Sequence, residues 1–301
     1  MKRFRPGSLA AWLAGLLLAR SLVCLAYIVF VPSSSQTQVE SGTVVIIGYS
    51  KEEVIIAADS RETDGHGAYR DEACKIAVLN NKLMFTAAGE ARSVLNGSEL
   101  WDATREARAA LADTERLNTD AAGDFIDRVA RRWGALLATN IGSNMRPEEA
   151  LKLANDQVLV NGMFIGLDDR QGLHMSHEII RARIIEKIPE IAVDSVKVVT
   201  MTENILFRAL GEGDISDEFE FGRSTRSRQW KLEVPRFARV HRVSNEAAEA
   251  MLRVDLTGAY GRDTVPNNPT VHLVGGKTDA AELKRGGRVH WISRKSQCPE
   301  R

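Results

Sequence analysis

Apolar positions along the chain fall into three regimes. The first is a long apolar opening. Leu9 to Leu18 and Leu22 to Val31 are almost wholly apolar, separated by Arg20, preceded by Lys2, Arg3 and Arg5, and closed by Pro32 and three serines. A basic start before an apolar stretch is the pattern of an export signal or a signal anchor. Arg20 would cost roughly 2.5–3.5 kcal/mol at a bilayer centre. Residues 1–32 are therefore read as a signal peptide or membrane-anchor segment, with 9–31 as the part that enters a membrane; a propeptide helix is the alternative. Inserted, the basic start would leave the following domain outside the cytoplasm. As a mere propeptide, it would leave the chain cytoplasmic. Residues 33–42, SSSQTQVESG, are polar and read as a linker or the end of a propeptide.

The second regime is short β-branched runs between polar turns. Thr43 to Gly48 and Val54 to Ala58 flank Ser50-Lys51-Glu52-Glu53, and Lys75 to Leu79 and Leu83 to Ala88 flank Asn80-Asn81. Both pairs predict hairpins. Asn161 to Leu167, Leu173 to Ile185 and Thr270 to Val274 predict further strands. The third regime is helical. Val94, Leu95, Trp101 and Leu111 predict a helix over Glu90–Asp113, and Phe125, Val129 and Trp133 a second over Thr119–Leu137. Ser244 is a natural N-cap for a third, carrying Ala247, Met251 and Val254 on one stripe. Hairpins, a helix pair, more strands and a last helix predict an α+β architecture of sheets covered by helices.

Composition narrows the function. The 301 residues carry 40 Lys+Arg against 40 Asp+Glu. Zero net charge argues against a nucleic-acid partner held by bulk charge. Arg223, Arg226, Arg228, Lys231, Arg236, Arg239 and Arg242 surround Trp230 and Phe237, and read as a solvated connector or subunit contact rather than a polyanion site. Cys24, Cys74 and Cys298 form no CxxC pair and are too few and too distant for a disulfide framework; Cys74 reads as core. His174 and His177 fall on opposite faces of one strand, which is wrong for a shared metal. No phosphate-binding glycine motif follows a strand, so neither cofactor nor metal is expected.

The candidate chemistry lies in residues 42–89. A Thr hydroxyl needs a base to act as a nucleophile. If the chain is cut between Gly42 and Thr43, the freed α-amino group can be that base, because its ordinary pKa of about 7.7–8.0 is close to neutral. Asp59 at the end of one strand and Lys75 at the start of another would form an ion pair near Thr43, and the Lys charge would lower the pKa of the hydroxyl or amine. By spacing alone, an ordinary surface pair is the favoured reading.

The segments GTVVIIGYSKEEVIIAADSRETDG and EACKIAVLNNKLMFTAAGEA resemble the start of a mature proteasome β subunit. Asp59, Arg61, Lys75 and Gly89 lie 16, 18, 32 and 46 positions after Thr43, which matches that family without a gap. The similarity continues weakly through Phe164-Ile165-Gly166-Leu167-Asp168, Gly211-Glu212-Gly213 and Arg262-Asp263.

The resemblance implies an N-terminal-nucleophile (Ntn) hydrolase domain over 43–301, an αββα sandwich with two antiparallel sheets between helix layers. It implies a threonine-type endopeptidase that exposes Thr43 by autocatalytic cleavage after Gly42. Its substrates would be peptides or unfolded proteins, and it would assemble as a homo-oligomer or proteasome-like ring. Thr43 would be nucleophile and base, Lys75 its tuner, Asp59 the partner of Lys75, and the Gly89 N–H the oxyanion donor. Asp263 would stand near the amine, and Arg61 would brace the loop. Thr63 would pair its main chain with substrate, and Ala73, Ala87 and Ala91 would line a roomy apolar specificity pocket. Two positions depart from the pattern: Glu212 and Pro266 stand where the family has serines beside the amine. A non-catalytic proteasome-like subunit and a small-amide hydrolase of the same fold are the alternatives.

Overall fold

The computed structural model describes residues 38–299 apart from 41–42, 64–68, 96–97, 118–123, 146–151, 169, 186–187, 197–200, 212 and 266–267. The chain runs β1 (Gln38–Glu40), β2 (Val44–Tyr49), β3 (Glu53–Ala58), β4 (Glu62–Thr63), β5 (Tyr69–Arg70), β6 (Ile76–Asn80), β7 (Leu83–Gly89), β8 (Arg92–Leu95) and β9 (Ser98–Asp102). Helices α1 (Ala103–Leu117) and α2 (Phe125–Asn144) precede β10 (Gln157–Leu167), β11 (Leu173–Ile185), β12 (Ile188–Val196) and β13 (Leu206–Gly211). Then come α3 (Asp214–Phe221), α4 (Thr225–His241), α5 (Asn245–Tyr260), β14 (Thr264–Val265), β15 (Asn268–His272), β16 (Asp279–Lys284) and β17 (Val289–Ser293).

The class is α+β. Two five-stranded antiparallel sheets, ordered β12-β11-β10-β7-β6 and β13-β2-β3-β16-β17, carry the core. Val45, Ile47 and Ile56 of one sheet meet Met84, Met163 and Ile165 of the other in a shared apolar layer. The opposite face of the first sheet, with Phe85 and Phe164, packs against Trp133 of α2 and Ala107 of α1. The opposite face of the second, with Val44, Ile46 and Ile55, packs against Met251 and Val254 of α5. Strand β2 is buried at every position because both faces are covered, so it reads as a continuous apolar run rather than an alternating one.

The predicted hairpins form as β2–β3 and β6–β7. Ser244 caps α5, its Oγ accepting from the Ala247 N–H at 3.1 Å. The helix predicted over Glu90–Asp113 begins only at Ala103. Residues 92–95 and 98–102 instead form a hairpin, in which Trp101 is buried and donates Nε1–H to the Glu90 carbonyl at 3.1 Å. Asp102 then caps α1 by accepting from the Thr104 and Arg105 N–H groups at 2.7 and 2.9 Å. Burial of Trp101 and the ladder to β8 outweigh the helical periodicity. The second predicted helix starts later, capped by Asp124, and runs on to Asn144. The strand expected at 270–274 ends at His272. The basic run 223–242 is largely helix α4 rather than a connector; its Trp230, Val234 and Ala238 are buried against α3 and α5. The apolar opening, 9–31, lies outside the described residues, and no described helix is long and apolar enough to cross a membrane.

Candidate active site

The end of the β2–β3 hairpin places Thr43 and Asp59 side by side. Asp59 is 1% exposed and acts as a hub. One carboxylate oxygen accepts from the Val44 N–H at 3.0 Å and Lys75 Nζ at 2.8 Å; the other accepts from the Arg61 and Gly275 N–H groups at 3.0 and 3.2 Å. Lys75, immediately before β6, has a 7% exposed side chain and also donates Nζ–H to the Arg61 carbonyl. Burial pushes the Lys75 ammonium below the ordinary lysine range, opposed by the charge and hydrogen bond of Asp59. Burial likewise pushes the Asp59 carboxyl up, opposed by Lys75 and by its backbone donors. Four donors on one carboxylate favour the ionised form, so we read the pair as charged.

Thr43, Lys75 and Gly89 line one small cavity of about 70 Å³, together with Ala87, Ala91, Glu62, Cys74, Arg92, Asp102 and Thr104. Thr43 is 8% exposed. Two glycines let the backbones meet there. Gly89 has φ +96°, and a Cβ on it would stand 2.3 Å from the Leu159 carbonyl oxygen. Gly211 has φ +80°, and a Cβ would stand 1.9 Å from the Thr43 carbonyl oxygen. No other residue type takes both that conformation and that approach without displacing the neighbour. Just upstream of Thr43, β1 is added antiparallel to β8, with Val39 opposite Ser93.

Arg61 forks onto Asp71 at 2.7 and 2.8 Å, donates to the His272 carbonyl at 3.0 Å and stacks over Tyr69. The Arg61 hydrogen bond holds the Asp71 carboxyl below its usual range. Arg61 thus fixes the loop whose carbonyl receives Lys75. Thr63, on β4, and Ala73 are buried but do not line the cavity, whereas Ala87 and Ala91 do. The lining is also more polar than three alanines imply, since Glu62, Arg92 and Asp102 share it. Asp263 is not brought to the cavity: it is exposed, and its backbone carbonyl accepts from the Leu273 N–H. Gly42, Glu212 and Pro266 lie outside the described residues.

Cys74 and Cys298 form a disulfide, which corrects the reading of Cys74 as an unpaired core residue. A pair 224 residues apart leaves no local signal, and spacing among three cysteines does not select it. Asp279 and Lys295, a second buried pair, were equally invisible, because nothing in the sequence marks them as neighbours of Lys75. His174 bonds Asp127 at 2.9 Å on the α2 side, while His177 is buried on the other face of β11, as their spacing implies. No family model matches the chain, and no curated protein does.

Proposed function

We propose that the chain is a threonine-type peptidase of the Ntn-hydrolase kind, built as an αββα sandwich and similar in pattern to proteasome β subunits. The observation that carries this reading is Asp59–Lys75, a buried and donor-rich ion pair, opening onto the same cavity as Thr43 and Gly89. Cleavage after Gly42 frees the Thr43 amine. The amine takes the proton of the Thr43 hydroxyl as its oxygen attacks a peptide carbonyl, giving a tetrahedral oxyanion. The Gly89 N–H stabilises that oxyanion. Collapse passes the proton to the leaving amine and leaves an ester on Thr43. Water, deprotonated by the same amine, releases the acid. The Lys75 charge favours the deprotonated hydroxyl and amine.

Strand β1 supports a peptide substrate over a small amide, because the chain itself shows that a strand adds at the β8 edge beside the cavity. A disulfide favours an oxidising compartment, in keeping with an exported domain. A non-catalytic subunit is the second reading, favoured by the exposed Asp263. Intact mass and N-terminal sequencing of the purified protein test the proposal. Wild type is expected to begin at Thr43 and Thr43→Ala to retain residues 1–42. Wild type that keeps 1–42 and still cleaves peptides would sink it.

A further inference from the structure

The disulfide joins two segments that each carry a buried lysine. Cys74 precedes Lys75 and lines the cavity with Thr43. The β6 ladder starts at Ile76, opposite Thr86, one residue after Lys75. Just before it, the Ala73 N–H donates to the Ser60 carbonyl at 3.0 Å and the Lys75 carbonyl accepts from the Thr86 hydroxyl at 2.8 Å, and Cys74 between them is tied by the disulfide. At the other end, the Cys298 N–H closes a turn on the Lys295 carbonyl at 3.1 Å. Lys295 is 4% exposed and gives both its backbone N–H, at 2.9 Å, and its Nζ–H to Asp279. Cys298 Sγ lies 3.6 Å from that carboxylate. Asp279 opens β16 opposite Ala58, the neighbour of Asp59. Two buried carboxylates thus stand at adjoining strand ends, each with its own lysine, and the disulfide ties the lysine-bearing segments together.

We propose that the Cys74–Cys298 disulfide and the Asp279–Lys295 pair form a positioning brace for Lys75, so that hydrolysis is switched on when the disulfide forms and off when it is reduced. The inference rests on the reading of Thr43 and Lys75 as a hydrolytic pair. Lys295 and Asp279 are positioning residues, because neither lines the cavity. In formation, the two thiols give two protons and two electrons to a disulfide-bonded oxidant, which leaves as a dithiol; a small dithiol reverses the step through the cavity that Cys74 lines. The charges facing Lys75 are Asp59, Glu62, Asp71 and Lys295, with Arg92 and Asp102 lining the same cavity. Lys295 is the cation that pushes Lys75 down, so removing it raises the pH at which Lys75 titrates.

The test uses wild type, oxidised and reduced with dithiothreitol, beside Cys298→Ser, Lys295→Met and Lys295→Arg. Hydrolysis of an unstructured peptide and NMR titration of labelled lysine Nζ are measured together with far-UV circular dichroism. Reduced wild type and Cys298→Ser should lose about tenfold or more in kcat with KM little changed, the cost of a misplaced catalytic group. Lys75 should titrate higher in Lys295→Met and return in Lys295→Arg. Reduced wild type with unchanged kcat and Lys75 titration would overturn the brace. So would activity lost only in step with the dichroism signal, which marks a plain structural staple. If the variants do not fold, the two redox forms of wild type decide alone. If oxidised wild type neither processes nor hydrolyses, the peptidase reading falls, while the Lys75 titration still judges the brace.

Discussion

Asp59–Lys75 and Asp279–Lys295 occupy adjoining strand ends, and both carboxylates are 1% exposed. Each accepts a lysine Nζ–H and at least one backbone N–H. Their surroundings differ. Lys295 gives its backbone and its side chain to one carboxylate and sits in a closed turn. Lys75 sits just before the β6 ladder, shares its protons with a carbonyl and faces a cavity with Thr43 and two positive-φ glycines nearby. A buried ion pair is therefore not a sign of chemistry in itself. What sets one apart is a threonine hydroxyl on the same cavity and two glycines that let the backbones approach beside it.

Removing Lys75 should have the strongest consequence. Lys75→Ala should lower peptide hydrolysis by about 10²–10³, the usual cost of removing one group that stabilises developing negative charge. The fold should persist, because Asp59 keeps three backbone donors. Normal turnover in steady-state assays would remove Lys75 from the mechanism. Asp279→Ala breaks the other member. It leaves Lys295 as a buried charge and should cost about 3–5 kcal/mol in denaturant unfolding. A loss under 1 kcal/mol would show that the pair is solvated.

A buried ionisable group without a counter-charge sharpens the contrast. His177 is 2% exposed, and its Nδ1 has no partner among the described residues. Burial, with Arg208 and Arg181 adding to it, lowers its pKa from 6.5 to about 4. The folded state thus keeps His177 neutral while the unfolded state binds a proton. Stability is intact above pH 6.5 and falls by about 3 kcal/mol as pH drops toward 4. His177→Gln should flatten that part of the stability profile; an unchanged acid limb would refute the assignment. The smallest effect belongs to a pair in water. Lys51 and Glu203 meet at 2.6 Å with side chains 51% and 75% exposed. Lys51→Ala should change stability by less than about 1 kcal/mol in the same unfolding assay.

Much of the candidate site was legible because its parts are local. β2 and β3 form a hairpin, as do β6 and β7, and a hairpin fixes which residues reach its ends. The intervals from Thr43 to Asp59, Lys75 and Gly89 carried that information, although the reading of their chemistry came from resemblance rather than spacing. Ser244 was legible for the same reason, since a cap is a bond to the third residue on. Glu90–Asp102 misled, because a helical period and a hairpin compete locally and Trp101 was decided by the core it enters.

The hairpins, the start of α5 and the opposite facing of His174 and His177 could be read from the residues alone, because all of them follow from backbone periodicity and short-range hydrogen bonding. Only the tertiary structure decided the rest. It inserted β16 between β3 and β17, set Asp279 beside the neighbour of Asp59, and brought Cys298 to Cys74 across 224 residues. It also left Asp263 exposed and off the lining of the cavity that holds Thr43. Such contacts depend on how whole sheets pack and in what order strands join them. No residue records that order, because any buried Asp, Lys or Cys satisfies the same local rules wherever the chain happens to return.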